Sequence, residues 1–186
     1  MSGKLFYLMG ASGSGKDTLL QGCRERLEHS HQAFIAHRYI TRAADAGGEN
    51  HIHLTESEFQ LRVDTAMFAM HWASHNHLYG IGKEVEIWVK AGLNVIINGS
   101  REYLPIAMKQ YDFLIPVMIN IRTELLRDRL HNRGRETDIE IEKRLKRHDD
   151  FLDHMPSGTL YIDNSGTKEE GIDALMDIIT EHRFIR

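Results

Sequence analysis

One cysteine, Cys23, stands in a chain of 186 residues. A lone thiol builds no disulfide framework, so the chain suits a reducing compartment, and Cys23 reads as a small packing residue in a helix. Long apolar runs are missing too: nothing approaches the ~20 residues that a membrane-spanning helix requires. No signal or transit segment is visible at the start, and the expected location is cytoplasmic. Positive charge is not in excess. Lys and Arg total 23 against 27 Asp and Glu, a formal net charge of −4, which argues against a broad nucleic-acid or anionic-membrane surface. No internal repeat, low-complexity run or linker marks a second domain, so one domain is expected over residues 1–186. Twelve histidines are present, with His51 and His53 two apart and His71, His75 and His77 close together. Neither cysteine partners nor an HExxH pattern turns them into a zinc site.

What is present is the make-up of a soluble globular protein: 41% hydrophobic and 27% charged residues, at a length that supports a proper core. Arg outnumbers Lys, and arginine is the better bidentate grip on phosphate, so local anion sites remain open. The strongest local signal is Gly10-Ala11-Ser12-Gly13-Ser14-Gly15-Lys16-Asp17-Thr18. It follows the apolar run Leu5 to Met9 and precedes a helical pattern. A strand, a glycine loop and a helix in that order form a phosphate-binding P-loop. The glycines let successive N–H groups turn toward phosphate oxygens, the helix N-terminus adds attraction for anions, and Lys16 reaches the terminal phosphates. One position departs from the motif. Asp17 stands where Ser or Thr normally ligates Mg²⁺, and the hydroxyl comes one place later at Thr18. Two readings of Asp17 stay open: a carboxylate that suits the first helical turn, or a Mg²⁺ ligand together with Thr18.

Along the chain, Lys4–Met9 reads as a strand and Asp17 to about Glu28 as a helix. A second strand is expected from Ala33 through Arg42. His51–Leu54 alternates like a short exposed strand, and Thr55 to Glu58 is a capping box opening a helix to about Val63. Phe68–Ala73 and Leu78–Gly80 are strand pieces around a polar turn. A helix from about Lys83 to Lys90 stops at Ala91-Gly92. Val95–Ile97 is a core strand, and Phe113–Ile121 another whose apolar run is broken by Pro116. Glu124–Leu130 is helical, Arg133-Gly134-Arg135 interrupts it, and a charged helix spans Asp138–Leu152. Leu160–Ile162 is the last strand and Glu169 to about His182 the last helix. Strands alternating with helices predict a parallel α/β sheet with right-handed crossovers.

Over nearly the whole chain these residues resemble the guanylate-kinase branch of the P-loop kinases. The resemblance rests on the P-loop, on Thr41-Arg42 with Gly48-Glu49 downstream, on Trp72-Ala73 followed by Tyr79-Gly80, and on the run Arg129 to Gly134. It implies an α/β P-loop NTPase fold of guanylate-kinase-like type: a three-layer core on a parallel sheet, a small acceptor-binding insert at about 38–82 and a helical lid at about 129–147. It also implies that Gly10 to Thr18 bind ATP, that Arg42 and Tyr79 hold an acceptor phosphate, and that Arg133, Arg135 and Arg144 close over the donor phosphates. Lys16, Arg133 and Arg144 are then the catalytic set.

The base-reading positions depart from that branch. His71 stands where a glutamate would read guanine, and the middle strand ends in Asn98-Gly99-Ser100 where an acidic pair is expected. Neutral His or Ser does not replace a carboxylate as acceptor of guanine's N–H groups. Ile52 replaces an insert tyrosine, and Asp45 falls where a second phosphate-holding arginine is expected. Arg38 and Arg101 are gained near strand ends that line the ligand crevice of an open α/β sheet. His71-Trp72 also reads as packing beside a turn. Together with His37 to Arg42, Glu49-Asn50-His51 and Asn98 to Arg101, this pattern is similar to the ribose 1,5-bisphosphate phosphokinase family of bacterial phosphonate catabolism. That similarity implies ATP-dependent phosphorylation of the 1-phosphate of ribose 1,5-bisphosphate, with Mg²⁺ as cofactor. Arg38, Arg42, Glu49, Tyr79 and Arg101 would then face the acceptor, with Glu49 either on solvent or, together with Asn50, on ribose hydroxyls. Partners are limited to ATP and a sugar phosphate, with a homodimer left open. Two alternatives stand beside it: a nucleoside monophosphate kinase with altered base preference, and a non-catalytic binding module, which has no need of an intact Gly15-Lys16 or of lid arginines.

Overall fold

The computed structural model describes residues 3–28, 33–44, 49–134 and 136–181. In chain order the elements are β1 Leu5–Gly10, α1 Lys16–Leu27, β2 Ala33–Ile35, β3 Arg38–Ile40, β4 Ile52–His53, α2 Glu56–Asp64, β5 Phe68–Ser74 and β6 His77–Gly82. They continue as α3 Glu84–Lys90, β7 Asn94–Asn98, α4 Leu104–Gln110, β8 Leu114–Asn120, α5 Thr123–Arg133, α6 Asp138–Leu152, β9 Leu160–Asp163 and α7 Lys168–Glu181. One sheet has the order β2-β7-β1-β8-β9, with β2–β7 and β8–β9 paired in parallel. Its inner strands β1 and β7 are apolar without alternation and buried along their length, as strands covered on both faces must be. A second sheet, β4-β3-β6-β5, is mixed: β3 pairs with β4 in parallel, and β6 runs antiparallel to both β3 and β5.

The chain divides into two compact units, Met1–Tyr7 with Arg26–Leu114 and Leu8–Glu25 with Ile115–Arg186. In the first, the second sheet packs through Leu54, Phe59 and Phe68, with Tyr39, Val63 and Leu78 against them. The capping box expected at Thr55 opens α2: Thr55 Oγ1 accepts from the Glu58 N–H, and the Glu58 side chain accepts from the Thr55 N–H. The polar turn between β5 and β6 is His75-Asn76, with φ of 48° and 60°, the left-handed pair that a two-residue hairpin demands. In the second unit, Ala11, Ile121, Leu126, Leu130, Ile141 and Leu145 form a buried cluster that joins α5 to α6. Cys23 is buried in α1, as expected of a packing residue. Among the described residues, no helix is long and apolar enough to cross a membrane.

One expectation is corrected. The strand expected from Ala33 through Arg42 is two strands in two sheets. Ala33 and Ile35 are buried against β7, and after Ala36 the chain leaves to pair with β6 through Arg38 and Ile40. A continuous β-pattern carries no mark of a change of sheet. The strand expected over Phe113–Ile121 is β8, Leu114–Asn120, and it runs through Pro116; its pairing with β9 begins at Val117, so on that side no N–H is owed at Pro116. Helix α4 was not anticipated. Its sign is Pro105 in the first turn, with Leu104 and Ala107 supplying the buried face.

Candidate active site

The second unit carries the residues expected at the donor. β1 ends at Gly10, the loop turns at Gly13 and Gly15, and α1 begins at Lys16. Gly15 has φ of 87°, and a Cβ there would lie 2.5 Å from Asn164 Nδ2, so both the backbone and the neighbour require glycine. Asn164, buried just past the end of β9, donates from Nδ2 to the Ser14 carbonyl at 2.6 Å and receives Arg129 on its own carbonyl at 3.3 Å. Lys16 Nζ donates to the Gly10 carbonyl at 3.5 Å, folding back along the loop. Ser14 is fully buried and its Oγ has no hydrogen-bond partner. Leaving such a hydroxyl unmatched costs about 1–3 kcal/mol, and an anion in the loop would satisfy it. Ala11 belongs to the apolar cluster, while Ser12, Asp17 and Thr18 are exposed.

Arg133 ends α5, where Gly134 in the left-handed conformation caps the helix. Arg133 donates to Ser12 Oγ of the P-loop at 3.4 Å and to Glu136 Oε1 at 2.7 Å. Arg144, on α6, reaches the same Glu136 oxygen at 3.2 Å. The structure therefore brings Arg133, Arg144 and the P-loop serine into one cluster. Arg135 lies outside the described residues, as do Gly48 and Asp45.

The first unit carries the residues expected at the acceptor. Arg38 makes a two-pronged pair with Glu49, through Nε at 2.6 Å and through Nη2. Arg42 Nη2 is 4.0 Å from the same carboxylate, and Asn98 Nδ2 donates to it at 3.3 Å. The Glu49 side chain is 9% exposed and that of Arg38 13%, so this pair has left bulk water. Arg42 Nε and Nη2 are buried with no hydrogen-bond partner, leaving donors available to an anion. Arg38 lies over the Tyr79 ring at 5.0 Å, and Tyr79 stacks on Trp72 at 5.7 Å with the rings 4° from parallel. Arg101 is partly buried in the turn that follows β7. Arg38, Arg42, Glu49 and Tyr79 thus lie together, with the Glu49 carboxylate turned to the arginines and not to solvent.

Two further residues hold this half in place. Tyr7, on β1, donates to the Ser100 carbonyl at 2.7 Å and accepts from the Ser100 N–H at 2.9 Å. Burial pushes its phenol well above the ordinary tyrosine range, so it keeps its proton. Gly99 is required because a Cβ there would overlap the Tyr7 ring. His51 spans two carbonyls, Glu49 at 2.9 Å and Arg42 at 3.0 Å, and ties together the ends of the 42–49 segment. At the base-reading positions, the His71 side chain is exposed on β5, and Ser100 Oγ donates to Glu102 at 2.8 Å. Of the pair expected to pack, Trp72 does, against Tyr79 and Tyr103, while His71 is left exposed. Ile52 is exposed.

Sequence reasoning passed over Glu136, Asn164 and Tyr7. Glu136 stands three places after Arg133, a spacing that pairs charges around a helix end. Asn164 follows the last core strand, at the sheet end where ligand loops gather. Tyr7 sits inside an apolar strand and carries no such signal.

No family model matches the chain. It is 49% identical over 160 residues to the ribose 1,5-bisphosphate phosphokinase PhnN of Thiobacillus denitrificans, covering 86% of this chain and 83% of that protein. It is 48% identical over 178 residues to the protein of the same name in Desulfomicrobium baculatum, covering 96% and 95%. A third, from Enterobacter lignolyticus, is 43% identical over 183 residues, covering 98% and 94%. Among solved structures, the guanylate kinase of Anaplasma phagocytophilum matches with a TM-score of 0.72 at 20% identity, over 97% of this chain and 86% of that one. The structural likeness establishes a guanylate-kinase-like P-loop fold, as expected from the sequence. With close to half of all positions shared over nearly full length, the chain belongs to the ribose 1,5-bisphosphate phosphokinase PhnN family.

Proposed function

We propose that this chain transfers the γ-phosphoryl group of ATP to the 1-phosphate of ribose 1,5-bisphosphate, giving 5-phospho-α-D-ribose 1-diphosphate and ADP. Beyond family membership, the observation that carries the reading is the Arg38–Glu49–Arg42 cluster with the unmatched donors of Arg42. It offers an anion site, while His71 and Ser100 stand where guanine would need carboxylates. In the reaction a 1-phosphate oxygen forms a bond to the γ-phosphorus as the bond to the β–γ bridging oxygen breaks. The acceptor oxygen is already anionic at neutral pH, so no general base is needed. Catalysis is then positioning and charge neutralisation.

In this reading the P-loop amides and Lys16 hold the donor, and Lys16 follows charge onto the leaving oxygen. Residues of α5 and α6 act as the lid, with Arg133 and Arg144 covering the transferring group and excluding water. The second sheet serves as the acceptor insert, where Arg42 and Tyr79 take one phosphate and Arg38 or Arg101 the other. Asp17 and Thr18 are exposed oxygen donors at the start of α1, a set that fits Mg²⁺, which takes one or two carboxylates and leaves its other positions to water and phosphate. Bound there, Mg²⁺ would supply neutralisation of the β and γ oxygens. ATP and sugar phosphates as substrates agree with a cytoplasmic location.

The test is an acceptor panel with ATP and Mg²⁺: ribose 1,5-bisphosphate, ribose 5-phosphate, GMP and AMP. A site built around a charged group rejects substrates lacking it by several powers of ten, so kcat/KM for the bisphosphate should exceed the others by ~10³ or more. A higher kcat/KM for GMP would return the chain to the nucleotide kinases. ATP binding with no turnover on any acceptor would make it a binding module.

A further inference from the structure

Glu136 lies between α5 and α6, immediately before Thr137, the N-cap of α6. Its side chain is 7% exposed. Oε1 accepts from Arg133 at 2.7 Å and pairs with Arg144 at 3.2 Å, while Oε2 is buried with no hydrogen-bond partner. An ion pair that only decorated a helix surface would keep its carboxylate in water, where it contributes little. Here the carboxylate has left water, and half of its acceptor capacity is unmatched, which is costly unless the group does something else. What it does is geometric. The apolar cluster of Leu126, Leu130, Ile141 and Leu145 fixes α5 against α6, but it does not direct two long arginine side chains. Two guanidinium groups drawn to one oxygen would repel each other without the charge between them.

We propose that Glu136 is a positioning residue for phosphoryl transfer, holding Arg133 and Arg144 as an ordered pair beside Ser12 of the P-loop. It acts through the arginines and not on the substrate. Ordering them before the reaction removes side-chain freedom that would otherwise be lost at the transition state. This inference rests on the assignment of Arg133 and Arg144 to the transfer step.

The experiment measures kcat and both KM values for wild type, Glu136→Gln, Glu136→Asp, Arg133→Ala and the double variant Arg133→Ala/Glu136→Gln, with a thermal midpoint for each. Glu136→Gln keeps the shape and removes the charge. Losing a charge-assisted bond to each arginine should lower kcat about 10- to 100-fold, with KM for ATP within about two-fold of wild type. Glu136→Asp, which keeps the charge, should have the higher kcat of the two. In the Arg133→Ala background, Glu136→Gln should cost clearly less than in wild type, because one of the groups it positions is gone. The proposal is overturned if Glu136→Gln turns over like wild type, if its defect lies in KM alone, if Gln matches or outperforms Asp, or if the two losses multiply in full. An impaired Arg133→Ala beside a normal Glu136→Gln removes this inference alone. A normal Arg133→Ala removes the lid assignment and this inference with it.

Discussion

Replacing Tyr7 with Phe deletes one oxygen from the core of the first unit, and its consequences can be worked through. That oxygen is both donor and acceptor to Ser100, at 2.7 and 2.9 Å. The ring is fully buried and stays where it is in Phe, so the change leaves packing intact and strands one carbonyl and one N–H. Each unmatched buried group costs about 1–3 kcal/mol. Ser100 is only partly buried, and water reaching its backbone recovers some of this. A total of about 2 kcal/mol follows, which for a chain of this length lowers Tm by about 4–8 °C. The segment so loosened joins Asn98 at the end of β7, which bonds Glu49, to Arg101. The acceptor KM should therefore rise while the ATP KM stays within about two-fold. Gly99→Ala should be worse than Tyr7→Phe, since its Cβ would overlap ring atoms that have no room to retreat. The assay is a thermal melt followed by steady-state kinetics on both substrates. A Tm within about 1 °C of wild type together with an unchanged acceptor KM would refute the reasoning.

Lys16→Ala should lower kcat by about 10²–10³ or more without shifting Tm, because the lysine acts on phosphate and not on the core; turnover near wild type would remove the P-loop from the mechanism. Arg38→Ala should leave the buried Glu49 carboxylate with only Asn98 and the more distant Arg42 as partners, lower stability by about 2–3 kcal/mol and damage use of the bisphosphate, with ATP affinity unchanged by calorimetry. Hydrogen bonds from the capping threonines hold Glu58, Glu140 and Glu170 below the ordinary glutamate value of 4.5. Their contribution is therefore complete above pH 4.5 and is lost as pH falls through the lower folded values. Glu→Gln at all three should reduce Tm at neutral pH and flatten its decline in acid; an equal decline in both proteins would refute the capping account.

The parallel core was legible because its strands are short apolar runs between helical patterns, and a βαβ alternation leaves few topologies. The capping box at Thr55 was legible for the same local reason. The identical spacing recurs at Thr137-Glu140 and Thr167-Glu170, where the structure shows the same reciprocal bonds. The second sheet was harder. Strand β4 has two residues, β3 has three, and the parallel pairing of Tyr39 with Ile52 spans a long connection. Such pairings are decided by tertiary contact with Phe59 and Phe68, not by the strand's own pattern.

Within the site, the cations were legible and their anions were not. An arginine near a strand end or beside a lid motif is conspicuous by type. Whether a glutamate eleven residues away turns back onto it depends on the path of the intervening chain. Yet the two units share one construction: Arg38 and Arg42 meet on Glu49, and Arg133 and Arg144 meet on Glu136. In each, two guanidinium groups and one carboxylate leave a net charge of about +1, where the arginines alone would give +2 and repel. In the proposed reaction, substrate phosphates would meet cations already placed and only partly neutralised, with Arg42 still holding unmatched donors. On that proposal, a chain of net charge −4 would meet highly anionic substrates through local arginine clusters. In each cluster the acid that pairs the two arginines also holds them in position.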